Sequence, residues 1–258
     1  MSSNPFDLTG KVALITGANA GIGLGYAEAI ARAGGDVVIW GRRETRNEEA
    51  RAKLAAHGGR VLADTVDVSD EEQQTRGFEK ALAEMGRLDC VIANAGFHTS
   101  MPFKDLSVEH YEDLLRTNQH GAFITLREGV RHMVARAEAG APGGSLIATG
   151  SLSVFAGMEG VAHYGAAKGA VASMIKSIAT EYARQGIRAN MVCAGFIETE
   201  MSSEHSPAMQ RVAQRTPAGR IGKPADLGGM IVYLMSDAAS FHTGDVITVD
   251  GGWMASIF

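Results

Sequence analysis

Short apolar runs alternate with amphipathic stretches along the whole chain. The runs Val12–Thr16, Val37–Trp40, Val61–Val66, Leu88–Ala93, Ser145–Thr149, Ile187–Cys193 and Val246–Val249 predict seven strands. Between them, helical periodicity predicts helices over Ile22–Ala33, Glu44–His57, Asp70–Met85, Val108–Arg136, His163–Arg184 and Pro224–Met235. The third helix opens on Asp70-Glu71-Glu72, carboxylates at the positive end of its dipole. The last opens on a proline, whose missing N–H has no helical partner to lose. Several strands are continuous Val/Ile/Leu runs, which belong to a parallel sheet covered on both faces. With right-handed crossovers, the pattern predicts a doubly wound, seven-stranded parallel α/β sheet. No linker, repeat or low-complexity tract interrupts it, so residues 1–258 read as a single domain. The least regular stretch, about residues 196–221, is expected to be a mobile substrate loop.

Composition narrows the partners. A single domain of 258 residues buries roughly three-quarters of its unfolded surface and needs no staples. A formal net charge of -5, with the basic residues scattered, leaves no stripe for nucleic acid or anionic lipid. No apolar run approaches the ~18 residues of a membrane span, and Met1–Lys11 has no apolar leader. A soluble, cytoplasmic protein is expected. Cys90 and Cys193 sit in apolar runs outside any CxxC spacing, as reduced core residues do. The histidines show no HExxH or metal-triad spacing, so no metal is expected.

The first strand ends in Thr16-Gly17-Ala18-Asn19-Ala20-Gly21-Ile22-Gly23. Gly17 permits a tight turn, Gly21 lets the backbone approach a pyrophosphate, and Gly23 lets the helix pack close to the strand. The helix start then offers unpaired N–H groups to phosphate. This placement reads as the dinucleotide turn of a Rossmann fold. An acidic residue at the end of the second strand would bind the ribose 2′-hydroxyl of NAD(H). Here the strand ends in Gly41-Arg42-Arg43, and the Arg42 guanidinium suits a 2′-phosphate. NADP(H) is favoured, with NAD(H) possible.

Tyr164 and Lys168 lie one helical turn apart on one face, and Ser151 ends a strand thirteen positions before Tyr164. Reducing a ketone with a hydride requires a proton donor at the carbonyl oxygen, and alcohol oxidation requires a base there. Free tyrosine titrates near ~10 and is a poor base at neutral pH. Bringing it down by about three pH units takes ~4 kcal/mol of preference for the phenolate. A lysine cation at ~4 Å under an effective dielectric of ~20 supplies about that much. Ser151 would hold the substrate oxygen in place.

In order and spacing, Thr16–Gly23, Asn94-Ala95-Gly96, Asn118, Ser151, Tyr164 and Lys168 resemble the motifs of the short-chain dehydrogenase/reductase family. The likeness runs to Thr243-Gly244-Asp245 and Val249-Asp250-Gly251-Gly252. It implies interconversion of a ketone and a secondary alcohol, with Asn118, Ser151, Tyr164 and Lys168 catalytic. It also implies a cofactor crevice that includes Asn19, Ile22, Asn94, Ala95, Gly96 and Gly195, with Asp67 and Val68 at the adenine. Lys168 would bind the nicotinamide ribose, Asn118 would hold a proton-relay water, and Ile197 and Thr199 would anchor the carboxamide. Ala194-Gly195 stands where the family usually has Pro-Gly, and Ala20 where many NADPH-preferring members carry a basic residue.

Phe97, His98, Ser153, Phe155, Met158, Phe196 and Met201 are expected to face the substrate, by their positions beside these motifs. Most are apolar, pointing to a hydrophobic ketone or alcohol rather than a free sugar. His98 could hydrogen-bond a polar substituent or be a solvated loop residue. The alternative is a 3-oxoacyl-carrier-protein reductase, for which Arg127, Arg131, Arg136 and Arg184 would have to dock an acidic carrier. A cofactor-binding protein without catalysis is the third reading. The resemblance also implies a homodimer or homotetramer, and the apolar tail Trp253–Phe258 is expected at a subunit interface.

Overall fold

A computed structural model describes residues 4–199 and 206–256. Seven parallel strands, β1 (Val12–Thr16), β2 (Asp36–Gly41), β3 (Val61–Thr65), β4 (Cys90–Ala93), β5 (Gly144–Ser151), β6 (Ile187–Ala194) and β7 (Val246–Val249), form one sheet in the order β3-β2-β1-β4-β5-β6-β7. Helices α1 (Gly21–Arg32), α2 (Glu44–Ala55), α3 (Glu71–Met85), α4 (Val108–Leu115), α5 (Ala122–Glu138), α6 (Ala162–Tyr182), α7 (Pro207–Arg215) and α8 (Pro224–Met235) accompany it. The fold is the predicted doubly wound parallel sheet.

The strand composition follows from having a core on each face. In β1, Val12 and Leu14 enter one cluster with Trp40, Phe78 and Ile175, and Ala13 and Ile15 enter the other with Tyr26, Ile30 and Ile231. Both sets are buried, so the run is apolar at every position rather than at alternate ones. Strand order reverses between β1 and β4, and the carboxyl ends of these two strands open the crevice where such sheets bind ligands.

Two elements depart from the pattern. The predicted helix over Val108–Arg136 is interrupted by a π turn, Arg116–Gly121. A π turn inserts a residue and leaves carbonyls without their usual i+4 donors. Side chains supply them: Asn118 Nδ2 donates to Leu114 O at 3.2 Å, and Thr125 Oγ1 and Gln74 Nε2 donate to Gly121 O at 2.8 and 3.1 Å. Helical periodicity read in a window does not register a single inserted residue.

The stretch expected to be an irregular loop over 196–221 contains α7, capped by the Ser206 hydroxyl on Met209 N–H and opened by Pro207. Its apolar face is short, with Met209, Val212 and Ala213 only partly buried. The segment is stitched at its base, where Gly222 N–H donates to Phe196 O and Glu198 N–H to Gly222 O, each at 2.8 Å. Met201, expected to face the substrate, lies outside the described residues.

The tail begins with contacts inside its own chain. Trp253 meets the Phe196 ring edge-on at 4.8 Å, and the Arg215 guanidinium covers it at 5.1 Å. Its apolar surface is therefore partly sheltered within its own chain. Ile257 and Phe258 lie outside the described residues.

Candidate active site

A cavity of about 760 Å³ opens at the strand reversal. Its floor is held by Asn94, at the end of β4. Its Nδ2 donates to Thr16 O and Gly17 O at 2.9 and 3.1 Å, and its Oδ1 accepts from Thr149 Oγ1 at 3.0 Å. The Thr16 hydroxyl in turn accepts the Asn94 and Ala95 N–H groups, each at 3.0 Å. Three strand ends are thereby tied together by buried groups.

Gly17, at φ 64°, takes a left-handed conformation that costs a glycine little. With Gly21, Ile22 and Gly23 it lines the cavity, as do Asn19, Ala95, Gly96 and Gly195. Thr199 also lines it and reaches the glycine turn, where a β-carbon on Gly21 would meet its methyl at 3.4 Å. Asn19 is steadied by Asn47, a buried residue whose amide bonds Gly41 O and Asp64 O, and whose Oδ1 accepts from Asn19 Nδ2 at 2.7 Å. Asn47 has no motif and was not foreseen.

Arg42, Asp67 and Val68 lie at the far end of the same cavity. Asp67 Oδ1 accepts from the Ser69 backbone and hydroxyl at 2.9 and 2.8 Å, and its Oδ2 is 4.0 Å from Arg42 Nη1. At that spacing on an exposed side chain the pair is weak, and the guanidinium can still serve another anion.

At the catalytic end, Asn118, Ser151, Tyr164 and Lys168 line the cavity together. Lys168 is buried and donates from Nζ to Thr149 O at 2.9 Å, with its cation 5.7 Å from the Tyr164 ring centroid. Ser151 Oγ accepts from Ser153 N–H at 3.2 Å, which leaves its own hydrogen to donate. Asn118 Oδ1 is buried with no partner. It points toward Gly96, where an added β-carbon would clash with it and lie 3.7 Å from Lys168 Nζ.

Burial raises the Tyr164 phenol above its ordinary range, and the Ser151 hydroxyl beside it acts in the opposite direction. The raised phenol holds its proton more tightly than a free tyrosine does. The cysteines are not competing nucleophiles, since burial pushes Cys90 up to about 12 and Cys193 to about 11.

Burial also lowers Lys168 from 10.5 to about 8. Its folded value lies below its unfolded one, so the unfolded chain binds the proton more tightly and stability rises with pH between about 8 and 10.5. At pH 7 the burden is about 3 kcal/mol, against which the Thr149 hydrogen bond returns about 1 kcal/mol. Lys168→Met is therefore expected to melt several degrees higher than wild type at pH 7, with the gain fading toward pH 10.5. Scanning calorimetry at the two pH values checks this, and a lower melting point for the variant at pH 7 would contradict it.

Three expected site residues lie elsewhere. Phe196 borders a separate recess of about 100 Å³ and packs against Trp253. The Ser153 hydroxyl is buried without a partner and outside the cavity lining, because the 3-10 turn Leu152–Val154 carries it away from the strand end. The Ile197 side chain is buried in the core beneath Gly222, so any contact it makes with a cofactor falls to its backbone. Phe97 and His98 do line the cavity, and the His98 ring stands edge-on to Tyr164 at 5.4 Å and 81°. His98 is thus a cavity residue although exposed.

The cavity suits an extended dinucleotide: glycine backbone at one end, a guanidinium beyond it, and at the other an orphaned buried acceptor beside a lysine. Comparison with known proteins agrees. The family model described as "Enoyl-(Acyl carrier protein) reductase" matches residues 17–254. The chain is 34% identical to gluconate 5-dehydrogenase of Gluconobacter oxydans (strain 621H), over 98% of each sequence. It is 36% identical to cis-4-hydroxycyclohexanecarboxylate dehydrogenase of Sinomonas cyclohexanicum, over 95% of this chain and 97% of that protein. The crystal structure of a gluconate 5-dehydrogenase from Burkholderia cenocepacia J2315 in complex with NADP and tartrate superposes with a TM-score of 0.91 at 32% identity, covering 98% of each chain. A doubly wound sheet with a tyrosine–lysine pair at its crevice defines an oxidoreductase, and this chain belongs to the short-chain dehydrogenase/reductase family. Among the described residues no helix is long and apolar enough to cross a membrane, and no cluster of three or more metal-ligating side chains occurs.

Proposed function

We propose that the protein is an NADP(H)-dependent reductase of an uncharged, largely apolar ketone, with the secondary alcohol as product. The observation that carries this reading is the catalytic end itself, where Ser151, Tyr164 and Lys168 share one cavity and burial raises the Tyr164 phenol. Tyr164 gives its proton to the carbonyl oxygen, and the Ser151 hydroxyl donates to the same oxygen and fixes its position. Lys168 keeps two donors after its bond to Thr149, which suit the ribose hydroxyls of a nicotinamide cofactor. The cofactor supplies the hydride. Asn118 Oδ1 offers the acceptor for a water that would relay protons from solvent to the lysine.

The substrate class rests on charge and polarity. Among the described residues lining the cavity, Lys168 is the one lysine or arginine at the catalytic end, and Arg42 and Arg43 lie at the opposite end. At the catalytic end Phe97 lines the cavity, and Phe155 and Met158, a few residues beyond Ser151 in sequence, are 48% and 38% exposed, apolar surface available to an apolar substrate. A sugar acid would bring a carboxylate without a fixed cation to meet it. The carrier-protein reading is not favoured, because Arg127 and Arg131 are paired with Glu71 and Glu128 within the chain. Assembly into a dimer or tetramer belongs to the same reading, supported by exposed Val108 and Phe123 on α4 and α5.

NADPH oxidation with cyclohexanone is expected to exceed the rate with 5-ketogluconate by at least tenfold, and the reverse ranking would overturn the substrate class. In fluorescence titrations, Arg42→Ala should weaken NADPH binding about 10- to 30-fold and leave NADH within twofold, as loss of a charge-assisted phosphate contact requires. Equal effects on both cofactors would remove Arg42 from the phosphate site.

A further inference from the structure

The loop that carries Phe97 and His98 into the cavity is held from behind by a hydrogen-bonded bridge. Thr99 Oγ1 lies 2.8 Å from Nε2 of His163 and 3.0 Å from Nε2 of His110. The two imidazole rings stand 5.5 Å apart. His163 is fully buried and immediately precedes Tyr164 in the first turn of α6. His110 is half-buried in the first turn of α4. One hydroxyl therefore joins three elements: the loop after β4, the start of α4, and the start of the helix that bears the tyrosine. A hydroxyl can donate once and accept from another group, so it can satisfy two neutral imidazoles, one as donor and one as acceptor.

Two further contacts fix the same loop. Asn118 Nδ2 donates to Phe97 O at 3.0 Å, and Met101 N–H donates to Gly160 O at 2.9 Å. Between these anchors the chain has one side-chain tie, Thr99, and next to it stands His98, edge-on to Tyr164 at 5.4 Å. Valine has the shape of threonine without the hydroxyl, so it would leave both imidazoles unpaired and remove the tie nearest His98.

We propose that Thr99, through His163 and His110, is a positioning residue that sets His98 against Tyr164 and so fixes the substrate-side wall of the catalytic cavity. This rests on the reading that the Tyr164 cavity reduces a carbonyl. Thr99 touches neither substrate nor cofactor. Its effect reaches the reaction through the placement of His98.

The test uses full-length protein saturated with NADPH and cyclohexanone as the probe. Thr99→Val is expected to raise KM about tenfold, with kcat changed less than threefold and the NADPH dissociation constant less than twofold. Thr99→Ser, which restores the hydroxyl, should return KM to within twofold of wild type. In a double-mutant cycle with His98→Ala, the KM effect of Thr99→Val should largely vanish, because contacting groups acting through one another are not additive. A second readout needs no turnover. In NMR spectra of the NADPH complex, the His98 imidazole resonances, assigned by their loss in His98→Gln, should move in Thr99→Val and return in Thr99→Ser. If wild type does not reduce cyclohexanone but these resonances behave so, the choice of substrate fails and the bridge stands. Unmoved resonances, an unchanged KM, equal changes in KM, kcat and cofactor affinity, or additive effects with His98→Ala would each overturn the proposal. Should Thr99→Val fail to fold by thermal melting, His110→Ala removes one partner at the half-exposed end and is read in the same way.

Discussion

Tyr164→Phe should lower kcat/KM for ketone reduction by about a thousandfold and leave NADPH binding within twofold of wild type. General acid catalysis contributes roughly 10² to 10⁴ in rate, and a thousandfold corresponds to about 4 kcal/mol in the barrier. Phenylalanine retains the ring that stands against His98 and Lys168, so the cavity keeps its shape and the missing proton is the main change. The phenol's pKa is raised by burial, so it is protonated throughout the neutral range. Reduction by wild type should therefore be nearly flat with pH there, and alcohol oxidation should improve toward alkaline pH as the phenolate forms. Steady-state rates with cyclohexanone and the corresponding alcohol between pH 6 and 10 test both statements. A variant retaining a tenth of wild-type activity would remove Tyr164 from the proton-transfer step.

Gly23→Ala is the second large effect. A β-carbon at this position would overlap the Gly17 carbonyl and come within 2.5 Å of Asn94 Nδ2. That nitrogen holds Thr16 O and Gly17 O, so the added methyl wedges apart the knot between β1, β4 and the start of α1. Overpacking of this kind costs about 1–3 kcal/mol, or a fall of several degrees in melting temperature for a domain of this size. The displaced turn is also the one that must approach a pyrophosphate closely, and NADPH affinity is expected to fall at least a hundredfold. Fluorescence titration and a thermal melt measure the two effects separately. A dissociation constant within threefold of wild type would mean that the turn is not part of the cofactor site.

Much of the site is legible along the chain because its parts are local. The glycine turn spans eight residues, and Tyr164 and Lys168 are a helical turn apart, so spacing alone puts each set on one surface. The β/α alternation follows from runs that must be apolar at every position when both faces of a sheet are covered. Those features determined the doubly wound fold, the place of the crevice and the pairing of Tyr164 with Lys168.

What the tertiary structure decided depends on residues far apart in sequence. Asn94 meets Thr16 and Thr149, Asn19 meets Asn47, and Thr99 meets His163. None of these partners is specified by a period or a motif. The π turn at Arg116–Gly121 exists because Asn118, Thr125 and Gln74 can bond the carbonyls it exposes, a balance settled only when α3 and α5 pack. Phe196, Ser153 and Ile197 sit beside the catalytic motifs in sequence, yet turns and core packing carry their side chains out of the cavity. The direction of the Tyr164 shift was likewise a matter of burial. Desolvation acts on both Tyr164 and Lys168, and its size is set by how the surrounding chain closes over them.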